Sequence, residues 1–407
     1  MQPKLLVLYV PSLDRRLIEP ATAPYLSRCL TRCPPVELET HPSVELLPTL
    51  VTGVWPHQHR LWQVRLKPNS KPTLTQRVID LLPDRWTTAW QCIRHRFDRQ
   101  YDLPTIEPRR RRRFELHRIK VQRRFGGGDT GSLHQHGVQS LFSLLKGQSL
   151  YRTIFSFADV PSNPSQLVTG EPSLDFLELY AFDLFCHWNL DRTSAVRNHL
   201  QILDGVIERL CVQADRLGLK ALLVVDHGQE RVRHTLNLCR ILKGSSVPRN
   251  DYLFYIEVCN ARFWFFTDAA RKVLSNRLSS IEGATFLTAA EMEKYHIHFA
   301  ESEGFGDAYL ITDPGTIFFP HDFYHPLVNW YMARNTPEQA ARKTSPVHRG
   351  YHGHLPASPV DTGYLSACTP GLKPLAKKGE LIDFAPSVLS LLRRPVPAQM
   401  QGRVLFQ

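Results

Sequence analysis

The sequence predicts an α/β protein, a three-layer sandwich around a central, mostly parallel sheet, and three observations carry that reading. Two short apolar runs, LLVLYV at 5–10 and ALLVVD at 221–226, pass directly into polar or turn residues, as strands covered on both faces do. Before the second run, SAVRNHLQILDGVIERLCVQADRLG spaces Val196, Leu200, Leu203, Ile207, Leu210, Ala214 and Leu217 by fours and threes, the pattern of one amphipathic helix lying on a sheet. Near the end, IDFAPSVLSLLRRPVP sets a stripe of Val388, Leu389, Leu391 and Leu392 between Pro386 and Pro395, a final packed helix.

Taken in order, the first strand stops at Pro11, and its apolar run is far too short for a secretion signal or a bilayer span. A soluble, cytoplasmic protein with no membrane span is the expectation. In HPSVELLPTLVTG, Ser43 precedes an apolar helical stretch, so its hydroxyl either caps that helix or reacts. The long helix has Thr193 or Ser194 to accept an orphan backbone N–H, and Gly218 to supply the left-handed residue that ends it. Asp383 is placed to cap the final helix.

Length and composition set the frame. The 407 residues are 43% apolar, as in an ordinary globular chain, and form one domain from 1–90 and 140–407, with a small cap subdomain around 250–300. Eight cysteines without CxxC spacing read as buried reduced thiols. The net charge of +12 is uneven: residues 94–124 hold 12 Arg or Lys against 4 Asp or Glu, or +8. With five consecutive arginines at 109–113 and glycines at 126–128, residues 94–135 read as an exposed basic insertion. Phe97, Tyr101, Phe114 and Phe125 interleave with its cations, a pattern that suits either nucleic-acid binding or steering of an anionic substrate; a solvated loop is the plain alternative.

Four separate segments offer chemistry. In FDLFCHW, Asp183 and His187 stand four apart, so one helical turn puts carboxylate and imidazole on the same side. In LLVVDHGQ, Asp226 and His227 follow a strand at the sheet's carboxyl edge, where open α/β folds bind ligands, and Gly228 permits a sharp turn. HRGYHGHLP presents His348, His352 and His354 around glycines, a loop able to deliver one or two imidazoles. Ser43 is the fourth, because coordination of its hydroxyl would lower its pKa and favour attack on phosphorus.

The order of a hydroxyl before LVTGVWPHQH, then D-x-x-x-H, strand-DHG, GYHG and IDFAPS resembles the alkaline phosphatase superfamily, and most of all its type I phosphodiesterase and nucleotide pyrophosphatase branch. The similarity runs from residue 5 to about 395 outside the basic insertion, and includes APYL at 23–26 and FGDAYLITDPG at 305–315. It implies an alkaline-phosphatase-like fold and a Thr or Ser nucleophile six residues before Thr49, which is Ser43. It further implies one cation held by Asp183, His187 and His352 and another by Asp226, His227 and the Ser43 oxygen. The cofactor implied is one or two Zn²⁺ ions, with Mn²⁺ or Mg²⁺ as substitutes, roughly 4 Å apart when paired.

Two departures stand out. Where the branch has an Asp-Gly ending its first strand, this chain has Pro11 and Ser12, and where it has an Asn three residues beyond the nucleophile, Leu46 stands. HPSVELLP also lacks the C/S-x-P-x-R signature of sulfatases. The resemblance implies a metal-dependent hydrolase of phosphate or phosphonate esters acting on a small anionic phosphoester. The competing expectation is an impaired relative that binds or regulates, associated with nucleic acid through its arginine-rich insertion.

Overall fold

The computed structural model describes residues 3–43, 45–62, 64–66, 74, 110, 113–116, 137–322, 348–356 and 359–407. In chain order the strands are β1 (Leu5–Tyr9), β2 (Val36–Glu39), β3 (Val64–Leu66), β4 (Phe114–Leu116), β5 (Ser149–Thr153), β6 (Leu174–Glu178), β7 (Lys220–Val225), β8 (Glu230–Arg231) and β9 (His234–Leu236). They continue as β10 (Tyr252–Ile256), β11 (Asn260–Phe265), β12 (Ala284–Leu287), β13 (Ala308–Thr312), β14 (Thr316–Phe318), β15 (Gly350–Tyr351), β16 (Gly363–Ala367) and β17 (Lys378–Glu380). The helices used below are α1 (Pro24–Arg32), α2 (Leu47–Thr52), α3 (Ala181–Asn189), α4 (Thr193–Arg216), α5 (Asp268–Ser279) and α6 (Phe384–Leu391).

The main sheet runs β17-β2-β16-β7-β1-β6-β5. β5, β6, β1 and β7 are mutually parallel, and β16 is antiparallel to both neighbours, so β2 and β17 run with the parallel set. The period-2 rule of strands is visible in the core: Leu5, Val7, Tyr9, Leu222, Val224 and Phe176 face one apolar cluster, and Leu6, Leu8, Val10, Leu223, Val225 and Leu177 the other. The first cluster is closed by Leu50 and Val51 of α2 with Phe384, Val388 and Leu389 of α6, and the second by Leu200, Leu203, Ile207, Leu210 and Ala214 of α4. Helices therefore cover both faces, the arrangement parallel sheets require.

Local details refine the helix signals. Thr193 is already inside α4, Arg192 takes the cap without a side-chain bond, and Leu217 faces solvent at 41% exposure, while Gly218 adopts the expected left-handed φ of 71°. Asp383 does stand at the cap of α6, but its carboxylate accepts from Glu380 N at 2.8 Å and Arg403 N at 2.7 Å instead of from the helix, tying the C-terminal segment to β17. Gly228 keeps a negative φ; its role is clearance, because a Cβ there would lie 3.1 Å from both Asp14 Cβ and Val360 Cγ1.

The 250–300 stretch contributes three strands to a second sheet, ordered β10-β11-β13-β12 and entirely antiparallel. Leu274 and Leu278 of α5 pack on it together with Phe263, Phe265 and Leu310. Of the basic stretch 94–135, only Arg110 and residues 113–116 are described: Arg110 holds Asp322 through two nitrogens at 2.7 and 3.0 Å, and Phe114 is buried among Tyr255, Trp264 and Leu253. The rest of that stretch, the arginines beside Arg110 included, lies outside the described residues apart from Arg113. No helix among the described residues is long and apolar enough to cross a membrane.

Candidate metal centre

Three parallel strands end side by side and deliver the polar groups. β1 ends in Tyr9, β6 in Glu178 and β7 in Val225, with Asp226 and His227 next in the chain. The chain leaving β6 enters α3, whose first turn carries Asp183 and whose next carries His187, so the four-residue spacing does put both on one side. The antiparallel pairing of β15 with β8 brings His352 to the same edge, beside Asp183 and His227.

Asp183, His227 and His352 each offer a ligand atom within 4.8 Å of the others, and all are buried. The rings of His227 and His352 stack at 3.6 Å with 8° between planes, and His187 lies 5.3 Å from His352. Proton positions follow from the partners. Gly350 O can only accept, so His187 Nδ1, 3.0 Å away, carries a proton, and Nε2 faces Asp183 Oδ2 at 3.3 Å. Gly228 O, 2.8 Å from His227 Nδ1, likewise takes a proton from that nitrogen, and His227 Nε2 lies 3.4 Å from Asp226 Oδ2.

Two buried atoms have no hydrogen-bond partner, His352 Nδ1 and Asp226 Oδ1. An oxygen and two imidazole nitrogens on one locus, with His227 oriented by Gly228 O and Asp183 by Ser12 and Gln229, is a donor set that suits Zn²⁺, with Mn²⁺ a weaker fit and the oxygen-preferring Mg²⁺ a poorer one. The residues present therefore fit a divalent cation.

The electrostatics agree. Burial alone would raise the Asp183 carboxyl, but His187 first, then His352 and His227, hold it well below the usual carboxylate range. Burial lifts Asp226 above that range against the pull of His227 and of the Tyr9 hydroxyl, which donates to Asp226 Oδ2 at 2.5 Å. Burial likewise pushes Glu178 up to about 7, despite hydrogen bonds from Tyr151 and Thr153, with the charges of Asp226 and Asp183 adding to the rise. His352 is held neutral by burial and by His227.

The remaining sequence candidates have these partners. Ser43 leaves the same edge of the sheet four residues after β2, but its hydroxyl forms a local turn, accepting from Glu45 N at 3.0 Å and donating to Glu45 O at 3.3 Å. It does not cap α2, whose cap is Leu46. His354 pairs with Asp361 Oδ2 at 3.2 Å and lies 3.2 Å from Cys259 Sγ, and burial opposed by those two groups leaves it pushed up to about 11. His348 sits 4.4 Å from the Trp188 ring.

Three participants, Tyr9, Glu178 and Gln229, were not singled out from the sequence, and Ser12 stood out only as a departure from the resembled branch. Ser12 takes a left-handed φ of 67° and turns its hydroxyl onto Asp183 Oδ1, with His227 Nδ1 at 3.3 Å. Gln229 Nε2 donates to Asp183 Oδ1 at 2.8 Å and to Ser12 Oγ at 3.0 Å. Tyr9 was hidden as one more apolar residue of LLVLYV, yet strand ends meeting at one edge were the signal that could have found it and Glu178.

No protein-family model matches the chain, and no curated protein sequence matches it. Solved structures do. Human ectonucleotide pyrophosphatase/phosphodiesterase 5 aligns over 97% of this chain and 96% of its own, with a TM-score of 0.58 at 13% identity. The murine protein gives a TM-score of 0.57, and its inactive variant in complex with AMP gives 0.58, both at 13% identity and the same coverage. The chain has the fold of the nucleotide pyrophosphatase/phosphodiesterase branch of the alkaline phosphatase superfamily.

Proposed function

We propose that the protein is a cation-dependent hydrolase of phosphate or phosphonate esters, phosphodiesterase-like, with Ser43 as nucleophile and Asp183, His187, Asp226, His227 and His352 as the cation-holding set. The observation that carries the reading is the convergence of Asp183, His227 and His352 on one locus at the carboxyl edge of the sheet. A bound Zn²⁺ supplies Lewis-acid stabilisation of the charge that grows on the phosphoryl oxygens.

The chain's own groups do the rest. Gly350 O and Gly228 O fix the tautomers of His187 and His227, and Tyr9 holds the Asp226 carboxylate in place. Ser43 Oγ bonds to phosphorus as the ester oxygen leaves, and water then cleaves the Oγ–P bond of the phosphoserine, returning the hydroxyl. Leu46, buried and apolar where the resembled branch has Asn, gives no hydrogen bond to a phosphoryl oxygen. By analogy with loss of one oxyanion-hole donor this costs about 3 kcal/mol, or ~100-fold in rate. The AMP held by the murine relative supports a small anionic phosphoester as substrate. Cytoplasmic residence belongs to the proposal and is supported by buried thiols at Cys29, Cys33, Cys186, Cys211, Cys259 and Cys368.

A second reading, a cation-binding protein that no longer turns over, is favoured by one observation: the Ser43 hydroxyl is tied to the Glu45 backbone. Purified protein given Zn²⁺ or Mn²⁺ and a bis-aryl phosphodiester separates the two. The expected result is turnover that EDTA abolishes and that Ser43→Ala lowers on the order of 10⁶-fold, as removal of a serine nucleophile does. Turnover unchanged in Ser43→Ala removes the nucleophile assignment; cation binding without turnover selects the second reading.

A further inference from the structure

We infer that the centre is built for a single cation, and that the Gln229 amide and the Ser12 hydroxyl occupy the role a second cation would play toward Asp183. The inference rests on the cation-centre reading above. Among the described residues only one group offers three converging ligand atoms, and it draws His227 together with Asp183 and His352. That crosses the division implied by the family resemblance, which assigned His227 to a different cation from Asp183 and His352. Asp226 Oδ2 takes the Tyr9 hydroxyl, and no group of three His, Cys, Asp or Glu side chains converges around Asp226 among the described residues. The first strand cannot supply a further ligand, because Pro11 has no donor atom in its side chain.

The residue after Pro11 fills the gap differently. Ser12 is held at a φ of 67°, a conformation a non-glycine residue adopts at a cost, and that turn aims Oγ inward at Asp183 Oδ1. Gln229, also buried, brings its amide to the same oxygen at 2.8 Å, to Ser12 Oγ at 3.0 Å and to Asp183 O at 3.2 Å. Two of these three neighbours only accept and Ser12 Oγ already donates its proton to Asp183, so the contacting atom is the nitrogen. Asp183 Oδ1 thus receives two hydrogen bonds from neutral donors, while Oδ2 stays directed at the imidazole side. Fixed partial positive charge stands where a second ion would neutralise the buried carboxylates.

The test counts ions. Full-length protein is stripped with chelator, titrated with Zn²⁺ by calorimetry and desalted for elemental analysis, alongside Gln229→Glu, which sets a second carboxylate against Asp183 and calls for a positive charge between them. The expected result is one tight equivalent in the wild type and two in Gln229→Glu. Two equivalents in the wild type, or one in a folded Gln229→Glu protein, overturns the single-cation inference and leaves the hydrolase reading standing. No tight equivalent in the wild type overturns the cation centre itself and this inference with it. The wild-type count needs no variant, so a Gln229→Glu protein that fails to fold does not remove the test.

Discussion

Asp183→Asn weakens Zn²⁺ binding by about 100-fold or more and carries phosphodiester turnover down with it. Removing a group that merely orients a ligand costs 10- to 100-fold in affinity, so removing a charged ligand starts near ~100-fold. Asn preserves size and one acceptor oxygen, which isolates the charge as the quantity lost. Asp183 is the residue on which the site's contacts concentrate: its Oδ2 faces His187, its Oδ1 takes Ser12 and Gln229, and three imidazoles hold its carboxyl well below the usual range, favouring the carboxylate. Chelator competition reads the affinity directly. A dissociation constant within threefold of wild type would remove Asp183 from the ligand set.

The second large effect concerns stability. Arg262→Met destabilises the protein by about 3–5 kcal/mol, because it leaves a buried carboxylate without its counter-charge. Arg262 is fully buried on β11, bonded to Glu257 and donating to Val64 O at 2.9 Å, with Tyr255 5.0 Å and Trp62 5.8 Å from its guanidinium. It joins the antiparallel pair of β3 and β4 to the four-stranded sheet, and burial already raises the Glu257 carboxyl against the pull of this same arginine. Met fills similar volume, so the loss is electrostatic rather than a cavity. Replacing both partners, Arg262→Met with Glu257→Leu, recovers most of the stability, since a buried pair exchanged for apolar groups is close to neutral. Urea unfolding of the single and double variants checks this; a single-variant loss below about 1 kcal/mol contradicts it.

Much of the fold was legible because its signals are local. β1 and β7 are continuous apolar runs and α4 is a long 3.6-residue stripe, so the central strands and the helix covering them follow from periodicity. The Asp183–His187 pair and the Asp226–His227 pair were legible for the same reason, each set by one element. What the sequence concealed depends on contacts between distant elements. Ser12 stands out in the sequence only as a departure from the resembled branch and Gln229 not at all, and the register of β1 beside β7 places both against Asp183, 171 and 46 residues away respectively. Ser43 shows the opposite limit. Spacing from TLVTG selects it, while its hydrogen bonds depend on the turn it forms with Glu45.

The account turns on whether Asp183, His227 and His352 hold an ion in common. Crystals grown with Zn²⁺ and measured on both sides of the zinc absorption edge answer it. The prediction is one anomalous peak at about 2.0–2.2 Å from an Asp183 oxygen and from a nitrogen of each imidazole. An ordered site at millimolar Zn²⁺ with no peak among those three side chains, or with the ion bound elsewhere, contradicts it.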